Sequence, residues 1–540
     1  MLLKSVHALT YKSTLLALAL YGLSTLAGAQ NVATSMPATA SGLSSAQIDE
    51  LVEKTRQAFN VPGISVAVVK DNQIVHSKGY GLRSIASKQA MDEHTLVGIA
   101  SNSKAFTAAA LAILVDEKKL DWHDKVTKYI PEFKMYNPYV TEEFTVLDLL
   151  THRSGLGLGA GDLMFFPDGS DFTINDVIYN LRFLKPVSSF RSKYDYDNNL
   201  YIVAGEVVWR ASGLSWEEFV EKRLLKPLGM GESAAAIDRV TVADNMVDPH
   251  VEVDGKLKIV PFKPNPVLGA AAGIYSNVHD MSKWVSMLLN QGTYPGSKEP
   301  QRLLSEKVLQ QMWSPQTIIP TGPNSGRYNT HFNSYGIGWV VNDVKGYKQV
   351  SHTGGLLGMV TQVSLIPELK LGIVVLTNQE QGGAFTAITN TIKDAYLGLP
   401  AIDHVKEITE RVAKRKAEAD KVESEIWQKV QVQLKQNRQP DLSPFLGKYR
   451  DNWFGEVSVS QQNGKLRLVS KRSPAISGEM FYYKGTTFVV KWDDRSLHAD
   501  AFANFSLNHE GKANGMTMKA ISPATDFSFD FHDLEFKALP

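Results

Sequence analysis

The chain has 540 residues, of which 43% are hydrophobic and 21% charged, and its formal net charge is +1. These values are typical of globular protein with two or more domains, and the balanced charge gives no reason to expect nucleic acid or an anionic membrane surface as a partner. The absence of cysteine excludes disulfides, thiolate zinc sites and a thiol nucleophile.

The first residues have the pattern of a cleaved signal peptide. Two lysines precede an apolar run at 15–20, and Ala27-Gly28-Ala29 fits a small-x-small cleavage site. The apolar run is too short and too interrupted for a comfortable membrane span. We therefore predict a signal peptide over 1–29, a flexible leader over 30–43, and a periplasmic or secreted protein with no integral membrane segment after cleavage.

Apolar periodicity in the next part of the chain predicts an α+β arrangement. A helix is predicted over 45–59, followed by a buried strand over 64–69 and its hairpin partner over 74–81. The remaining predicted helices and strands are helices over 175–183, 200–209 and 277–289 and strands over 335–340, 349–355, 360–366 and 371–377. Such a set assembles most naturally as an antiparallel sheet backed by helices.

The pair Ser101-x-x-Lys104 stands at the start of an Ala-rich, helix-favouring stretch that continues to Leu114. Residues three apart share one face of a helix, so the hydroxyl and the amine can meet as a nucleophile and its base. The pair alone is weak evidence, because a serine near a helix start followed by a solvated lysine is the commoner case. Its weight therefore depends on what accompanies it.

Two further clusters accompany the pair. Tyr196-x-Asn198 lies among polar turn residues, and the run His352-Thr353-Gly354-Gly355 lies on a predicted strand. Taken singly, these are more often a surface tyrosine, a helix cap and a half-buried structural histidine. Only their joint order with the Ser-x-x-Lys pair, through the family resemblance that this order carries, implies a catalytic centre.

The three motifs, in this order and at these wide separations, resemble those of the serine β-lactamase and penicillin-binding-protein superfamily. The branch that the chain resembles is that of the class C β-lactamases with their DD-peptidase and esterase relatives. Further runs that look like family markers lie at 151–156, 227–230 and 335–339. The resemblance covers a domain over 44–400, and it implies an α+β fold in which an antiparallel sheet is flanked by helices and joined to an all-helical subdomain.

The resemblance also implies a role for each motif residue. Ser101 would attack a carbonyl carbon and form an acyl-enzyme, while Lys104 and Tyr196 would share a proton relay whose base stays undecided. The substrate would be bound by Asn198, His352, Thr353 and Gly354. The backbone N–H groups of Ser101 and Gly355 would form the oxyanion hole. No metal and no other cofactor is implied.

At position 352 this chain has histidine, whereas many β-lactamases and DD-peptidases have lysine at the matching position. Lysine is fully charged at neutral pH, whereas an unperturbed histidine titrates at about pH 6.5. Less positive charge would then face the carboxylate of a penicillin or of an acyl-D-Ala-D-Ala peptide, which makes efficient β-lactam hydrolysis less expected. A second histidine, His152, stays open between helix-end packing and indirect support of the site.

An apolar run in a Gly- and Asp-rich loop contains Leu163, Phe165 and Phe166. Contiguous apolar residues on a loop usually mark a contact, and binding residues gather on loops held by a rigid scaffold. We interpret the run as a wall of the substrate cleft that selects bulky apolar side chains. The alternative, that it fills a gap in the core or meets the C-terminal domain, stays open.

Beyond residue 400 the chain changes character. A charged helix is predicted over 405–434 within a connector at 401–440. Short strands follow in a C-terminal domain over 441–540, at 456–460, 465–470, 481–483, 487–492, 501–507 and 527–536, with a hairpin turn at Asn463-Gly464. The pattern predicts a small antiparallel barrel similar to the lipocalin-like domain of related peptidases. We expect it to form an interface, including one between copies of the chain, or to cover the active site.

The function favoured by the sequence is that of a serine peptidase on small or unusual peptides, such as D-residue-containing, non-ribosomal or linearised cyclic ones. An esterase on small acyl esters and a weak β-lactamase are the alternatives. A binding protein with a vestigial site is disfavoured by the intact set of motif residues. A metallohydrolase is disfavoured because the sequence contains no His-Glu-x-x-His or comparable ligand cluster.

Overall fold

The computed structural model describes residues 41–261, 263–322, 326–436, 440–462 and 464–540. The predicted signal peptide, most of the predicted leader and Asn463 of the predicted hairpin turn lie outside the described residues. The fold is α+β with a C-terminal closed barrel, which confirms the predicted fold class. Within the described ranges, no helix has the length and apolar character needed to cross a membrane.

The α-helices of the described residues are Ser45–Ala58, Ser103–Asp116, Pro138–Glu143, Val146–Leu149, Ile174–Asn180, Asn199–Ser212, Trp216–Val220, Gly269–Ala272, Val278–Leu289, Glu306–Met312, Gly382–Tyr396 and His404–Lys435. Several begin at side-chain caps that the sequence already contains. Ser44 caps the first of them with a full capping box, and Asn277 accepts a hydrogen bond from the backbone N–H of Asp280.

The central sheet is antiparallel and has eight strands. In spatial order they are Gln73–Gly81, Gly63–Lys70, Leu371–Thr377, Met359–Ile366, Tyr347–Leu356, Val340–Val344, Asn333–Tyr335 and Thr317–Ile318. Small two-stranded ladders pair Val97–Gly98 with Tyr275–Ser276, His250–Val253 with Lys256–Ile259, and Thr293–Tyr294 with Gln301–Arg302. The predicted strands 64–69, 74–81, 360–366 and 371–377 are thereby confirmed to within one residue.

Helices cover both faces of the sheet, so its middle strands are buried on both sides. In the strand Gly63–Lys70, the side chains of Ile64, Val66 and Val68 enter one apolar cluster. Ala67 and Val69 enter the other. This double burial explains why the strand is continuously apolar and does not alternate between apolar and polar residues.

The predicted strand at 335–340 is wrong over residues 336–339, since Tyr335 ends one strand and Val340 begins the next. This run is the tight connection between two strands, in which the N–H of Gly336 donates to the carbonyl of Trp339 at 2.7 Å. Gly338 has φ +78°, and a Cβ there would lie 2.8 Å from the Cβ of Ala108. The connection is apolar because it packs against the helix Ser103–Asp116. Sequence periodicity cannot distinguish such a buried connection from a buried strand.

The C-terminal residues form a closed antiparallel barrel of eight strands. They are Gly447–Asp451, Gly455–Gln462, Lys465–Ser470, Ser477–Lys484, Thr487–Trp492, Ala501–Leu507, Ala513–Ala520 and Glu535–Ala538. The predicted strand at 527–536 is wrong over most of its length, because a 3₁₀ turn at Phe531–Asp533 precedes a short strand. The first and seventh strands were not predicted.

The barrel packs against both the long helix His404–Lys435 and the helical part of the larger domain. Trp427 of the helix meets the ring of Phe481 edge-on, with centroids 5.5 Å apart. On the other side, Arg472 of the barrel forms ion pairs with Asp171 at 2.6 Å and Asp176 at 3.0 Å. The barrel is thereby fixed next to the loop that precedes the helix Ile174–Asn180.

Candidate active site

The nucleophile segment is a short 3₁₀ turn, Ala100–Asn102, that leads into the helix Ser103–Asp116. Ala100 has φ +51°, a left-handed conformation that few non-glycine residues adopt. The turn is held by Thr361, whose hydroxyl donates to the carbonyl of Ile99 at 2.9 Å and accepts from the side-chain amide of Asn102 at 2.8 Å. Ser101 is therefore presented at the start of the helix by a strained but anchored turn.

Lys104 is buried and lies within hydrogen-bond distance of the candidate nucleophile. Its Nζ is 3.0 Å from Ser101 Oγ, 2.7 Å from Asn198 Oδ1 and 3.1 Å from the carbonyl oxygen of Ala271. Burial lowers the pKa of Lys104 to about 7. A neutral amine can donate to the two carbonyl-type oxygens and accept the proton of the serine hydroxyl, so all three contacts are satisfied in the form that a base requires.

Tyr196 also lies close to the amine of Lys104. Its ring is over Lys104 Nζ, with 4.8 Å from the nitrogen to the centroid. Burial raises the pKa of Tyr196 well above its usual value, and the interaction with the side chain of Ser101 acts in the opposite direction. The phenol therefore keeps its proton at neutral pH and can pass it on within a relay.

The strand Tyr347–Leu356 brings the third motif beside the nucleophile. A Cβ on Gly354 would lie 2.3 Å from the carbonyl oxygen of Ile99, so only glycine allows the strand to approach this closely. Thr353 and Gly355 are exposed, whereas Gly354 is buried. The structure thus brings all three predicted motifs together around Ser101.

His352 is neutral in this arrangement. Its Nδ1 donates to the carbonyl of Thr353 at 2.6 Å, and its Nε2 accepts from the hydroxyl of Tyr335 at 2.9 Å. Burial, reinforced by the nearby Lys104, lowers the pKa of His352 to about 3. The ring therefore brings no positive charge to the site at neutral pH.

Sequence reasoning missed Asp162, which accepts from the amide of Asn198, and Ser528, which donates to Asp162. Asn198 Nδ2 donates to Asp162 Oδ2 at 2.8 Å, and the hydroxyl of Ser528, from the barrel, donates to the same oxygen at 2.8 Å. Burial raises the pKa of Asp162 to about 7. No motif contains either residue, and the one available signal was a lone aspartate in a Gly-rich loop.

His152 packs against Tyr196, and its side-chain hydrogen bond is to the backbone of residues 196–198. Its ring centroid is 4.2 Å from that of Tyr196 and 4.4 Å from that of Tyr335. Its Nδ1 accepts from the backbone N–H of Asp197 at 3.0 Å. These contacts favour indirect support of the site, the second of the two roles left open by the sequence.

A cavity of about 1140 Å³ opens beside Ser101. It extends between the larger domain, the long helix His404–Lys435 and the barrel. Phe165 and Phe166 line it, as the predicted cleft wall requires, but Leu163 does not and is fully buried. Phe166 also meets Phe529 of the barrel with ring centroids 5.1 Å apart, so this loop contacts the C-terminal domain as well.

Among the described residues, no group of three or more His, Asp or Glu side chains could hold a metal ion. The side chains described above provide a hydroxyl beside an amine with a pKa of about 7, a protonated phenol and a strand with exposed residues next to the hydroxyl. That arrangement suits nucleophilic attack on a carbonyl group.

Two known family models together match most of the chain. A family model described as Beta-lactamase matches residues 48–397. A second model, a domain of unknown function (DUF3471), matches residues 433–538 and so includes the whole barrel.

Several curated proteins are similar to this chain. The unguisins hydrolase ungD of Aspergillus violaceofuscus is 27% identical over 438 residues, which cover 77% of this chain and 76% of the relative. The unguisins hydrolase ungD′ of Aspergillus campestris is 28% identical over 337 residues, 61% of this chain and 60% of the relative. Protein flp of Staphylococcus aureus is 26% identical over 336 residues, 62% of each.

A solved structure has the same fold. It is that of the octameric penicillin-binding protein homologue from Pyrococcus abyssi, which is 21% identical and has a TM-score of 0.59. The match covers 92% of this chain and 100% of the other.

Proposed function

We propose that this chain, which belongs to the β-lactamase family of serine hydrolases, is a peptidase that cleaves small or unusual peptides through an acyl-enzyme on Ser101. The observation that carries the proposal is the 3.0 Å contact between Ser101 Oγ and the buried amine of Lys104. A lysine whose pKa has been lowered to about 7 is the base that a serine nucleophile needs at neutral pH.

Each proton in the reaction has a carrier. Lys104 takes the proton of Ser101 while Oγ attacks the substrate carbonyl, and the backbone N–H groups of Ser101 and Gly355 stabilise the oxyanion. Tyr196 passes a proton to the leaving amine as the C–N bond breaks and recovers one from Lys104. Water then attacks the ester, and the same relay, run in reverse, releases the acid and restores Ser101.

Two features favour peptides as substrates. The cavity of about 1140 Å³ exceeds what a small acyl ester fills and extends from Ser101 to the barrel. The neutral His352 does not offer the positive charge that would anchor a penicillin or a terminal carboxylate. Two relatives are named as hydrolases of unguisins, and this supports a search among unusual peptides.

The test is a screen of the purified protein against capped and uncapped peptides with L- and D-residues, chromogenic esters and β-lactams. We expect kcat/KM to be highest for a peptide without a free carboxylate near the scissile bond. A protein that hydrolyses only esters would be an esterase, and efficient β-lactam turnover would contradict the neutral-histidine argument.

The Ser101→Ala variant is expected to lose both turnover and labelling by a fluorophosphonate probe. Lys104→Ala and Tyr196→Phe should each cause large losses that do not add to that of Ser101→Ala, because the three groups act as a unit. Steady-state kinetics of the single and double variants measure this. Unchanged labelling of Ser101→Ala would place the nucleophile elsewhere.

Two further proposals concern the whole protein. The signal-like pattern at 1–29 supports a periplasmic or secreted location, which cell fractionation with an antibody to the mature chain would test. The octameric state named for the Pyrococcus abyssi homologue supports self-association of this chain, and we propose the barrel as the interface. Light scattering of the purified protein would decide it, since a monomeric mass at micromolar concentration contradicts the proposal.

A further inference from the structure

We propose that the C-terminal barrel completes the active site, because a hydroxyl on its segment 526–530 holds the hydrogen-bond network that positions Lys104. We call this segment, which lies between the strands Ala513–Ala520 and Glu535–Ala538, the docking segment. Ser528 is then a positioning residue for the hydrolysis proposed above, on which this inference rests. It does not touch the reacting atoms itself.

The network runs from the barrel to the catalytic amine in three hydrogen bonds. Ser528 Oγ donates to Asp162 Oδ2 at 2.8 Å, and Asn198 Nδ2 donates to the same oxygen at 2.8 Å. Asn198 Oδ1 then accepts from Lys104 Nζ at 2.7 Å. A rotated amide would place its NH₂ against the amine and its oxygen against the carboxylate, so Asp162 fixes which end of Asn198 faces Lys104.

The loop that carries Asp162 is shaped to receive the docking segment. Gly159 has φ +71°, and a Cβ there would lie 2.7 Å from the carbonyl oxygen of Phe527. The carboxylate of Asp530, which is fully buried, accepts from the backbone N–H groups of Gly161 at 2.5 Å and Leu163 at 3.2 Å. Backbone and side chain of the barrel segment are thus both seated on this loop.

The docking segment also touches the relay directly. The ring of Phe527 stands edge-on to that of Tyr196, with centroids 5.9 Å apart and an interplanar angle of 80°. The barrel therefore contacts the site at two points, the relay phenol and the carboxylate behind Asn198. Since Ser528 also lines the cavity, a role in substrate binding alone is the competing explanation.

The experiment compares hydroxyl-bearing and hydroxyl-free side chains of equal size in the full-length protein. The variants are Ser528→Thr and Ser528→Val, with Thr525→Val as a control. The hydroxyl of Thr525 donates to the carbonyl of His498 at 3.2 Å, within the barrel and away from Asp162. The readout is the rate constant for labelling of Ser101 by a small fluorophosphonate, which reports the reactivity of the nucleophile without the rest of the cleft.

We expect Ser528→Val to slow labelling by about tenfold or more, Ser528→Thr to restore most of the rate, and Thr525→Val to match the wild type. Near-identical rates for wild type, Ser528→Val and Ser528→Thr would overturn the inference and leave Ser528 with a binding role at most. Equal slowing in both Ser528 variants would also overturn it, because size and not the hydroxyl would then matter.

Failure of the Ser528 inference can be distinguished from failure of the proposed peptidase function. A wild type that is labelled at Ser101 but cleaves no peptide would refute the peptidase proposal, while the Ser528 comparison would still be decisive. A wild type that is not labelled would overturn both the nucleophile assignment and this inference. Circular dichroism melts of each variant check that slower labelling does not reflect loss of the fold.

Discussion

Burial controls the charge of three groups around Ser101. It lowers the pKa of Lys104 to about 7 and that of His352 to about 3, and it raises the pKa of Asp162 to about 7. The carboxylate of Asp162 opposes the shift of Lys104, because its negative charge favours the protonated amine. Near neutral pH the site thus holds a partly neutral amine and a neutral imidazole, which suits attack on an uncharged amide.

The activity should therefore fall below about pH 7. In the proposed mechanism the neutral form of Lys104 is the base, so protonation below its pKa of about 7 removes the active species. At pH values well below this, kcat/KM for an uncharged substrate should fall about tenfold per pH unit. A pH–rate profile from pH 5 to 9 measures it. Lys104→Arg, which stays charged, should lose activity across the whole range, and a flat profile would contradict Lys104 as the base.

At the level of single residues, the sequence predicted those site residues that lie close together in the chain within one motif. Ser101 and Lys104 are three residues apart, in a 3₁₀ turn that continues into an α-helix, so local helical geometry brings them together. Asp162 and Ser528 could not be found this way, because their contact joins two separate domains and depends on how those domains dock. Burial of a carboxylate is likewise a property of the assembled fold.

At the level of secondary structure, predictions succeeded for elements that are buried on both faces or begin at a cap, such as 371–377 and 277–289. They failed where an apolar run packs without regular structure, as at 335–340. The barrel strand Ala513–Ala520 was missed because its Asn, Gly and Lys residues disfavour strands and because the alternation of buried and exposed residues breaks at Gly515 and Met516, which are both buried.

The strand Tyr347–Leu356, which carries the proposed oxyanion-hole residue Gly355, should tolerate no side chain at Gly354. Gly354→Ala would place a Cβ 2.3 Å from the backbone of Ile99, so the strand or the nucleophile turn must move. We expect a loss of about 1–3 kcal/mol in the free energy of unfolding and labelling of Ser101 slowed by at least about tenfold.

The neighbouring glycine supplies the matched comparison. A Cβ on Gly355 meets no atom within 4 Å, and Gly355→Ala keeps the backbone N–H. Its free energy of unfolding should stay near that of the wild type. Denaturant unfolding and labelling rates of both variants measure the difference, and equal destabilisation would mean that close approach of the strand is not the reason for Gly354.

The loop beside the cleft should select apolar side chains through Phe166, which is half-buried and lines the cavity. Phe166→Ser should lower kcat/KM about tenfold for peptides with a bulky apolar residue at the scissile bond, and much less for a small ester. Tyr179→Ser, at an exposed aromatic residue outside the cavity, is the control. Equal losses on peptide and ester would indicate that Phe166 serves packing against Phe529.

At the level of the whole molecule, the active site lies where three parts of the chain meet. The larger domain supplies the nucleophile, and the long helix His404–Lys435 and the barrel close the cavity around it. The sequence predicted each part and gave covering of the active site as one expected role of the barrel, but it could not identify the contact residues, because docking depends on surface residues that carry no periodic signal. The expectation that the barrel covers the active site agrees with the position of its docking segment.

Arg472 should therefore influence a reaction that occurs in another domain. Its guanidinium lies 3.8 Å from the ring centroid of Phe172 and pairs with Asp171 and Asp176. Arg472→Ala removes charge-assisted contacts that each contribute on the order of 1 kcal/mol at a partly exposed interface. Because the barrel brings the docking segment to the loop at 159–163, weaker docking should slow labelling of Ser101 about two- to tenfold and lower the thermal midpoint.

The control for this prediction is Arg450→Ala. Arg450 is an exposed barrel residue that pairs with Glu456 at 3.3 Å inside its own domain. Its removal leaves the contacts between the domains unchanged, so both the labelling rate and the thermal midpoint should stay at wild-type values. If Arg472→Ala lowers the midpoint without slowing labelling, the barrel stabilises the protein but does not act on the active site. Slower labelling in Arg472→Ala, with an unchanged labelling rate in Arg450→Ala, would show that the reactivity of Ser101 depends on how the two domains are held together.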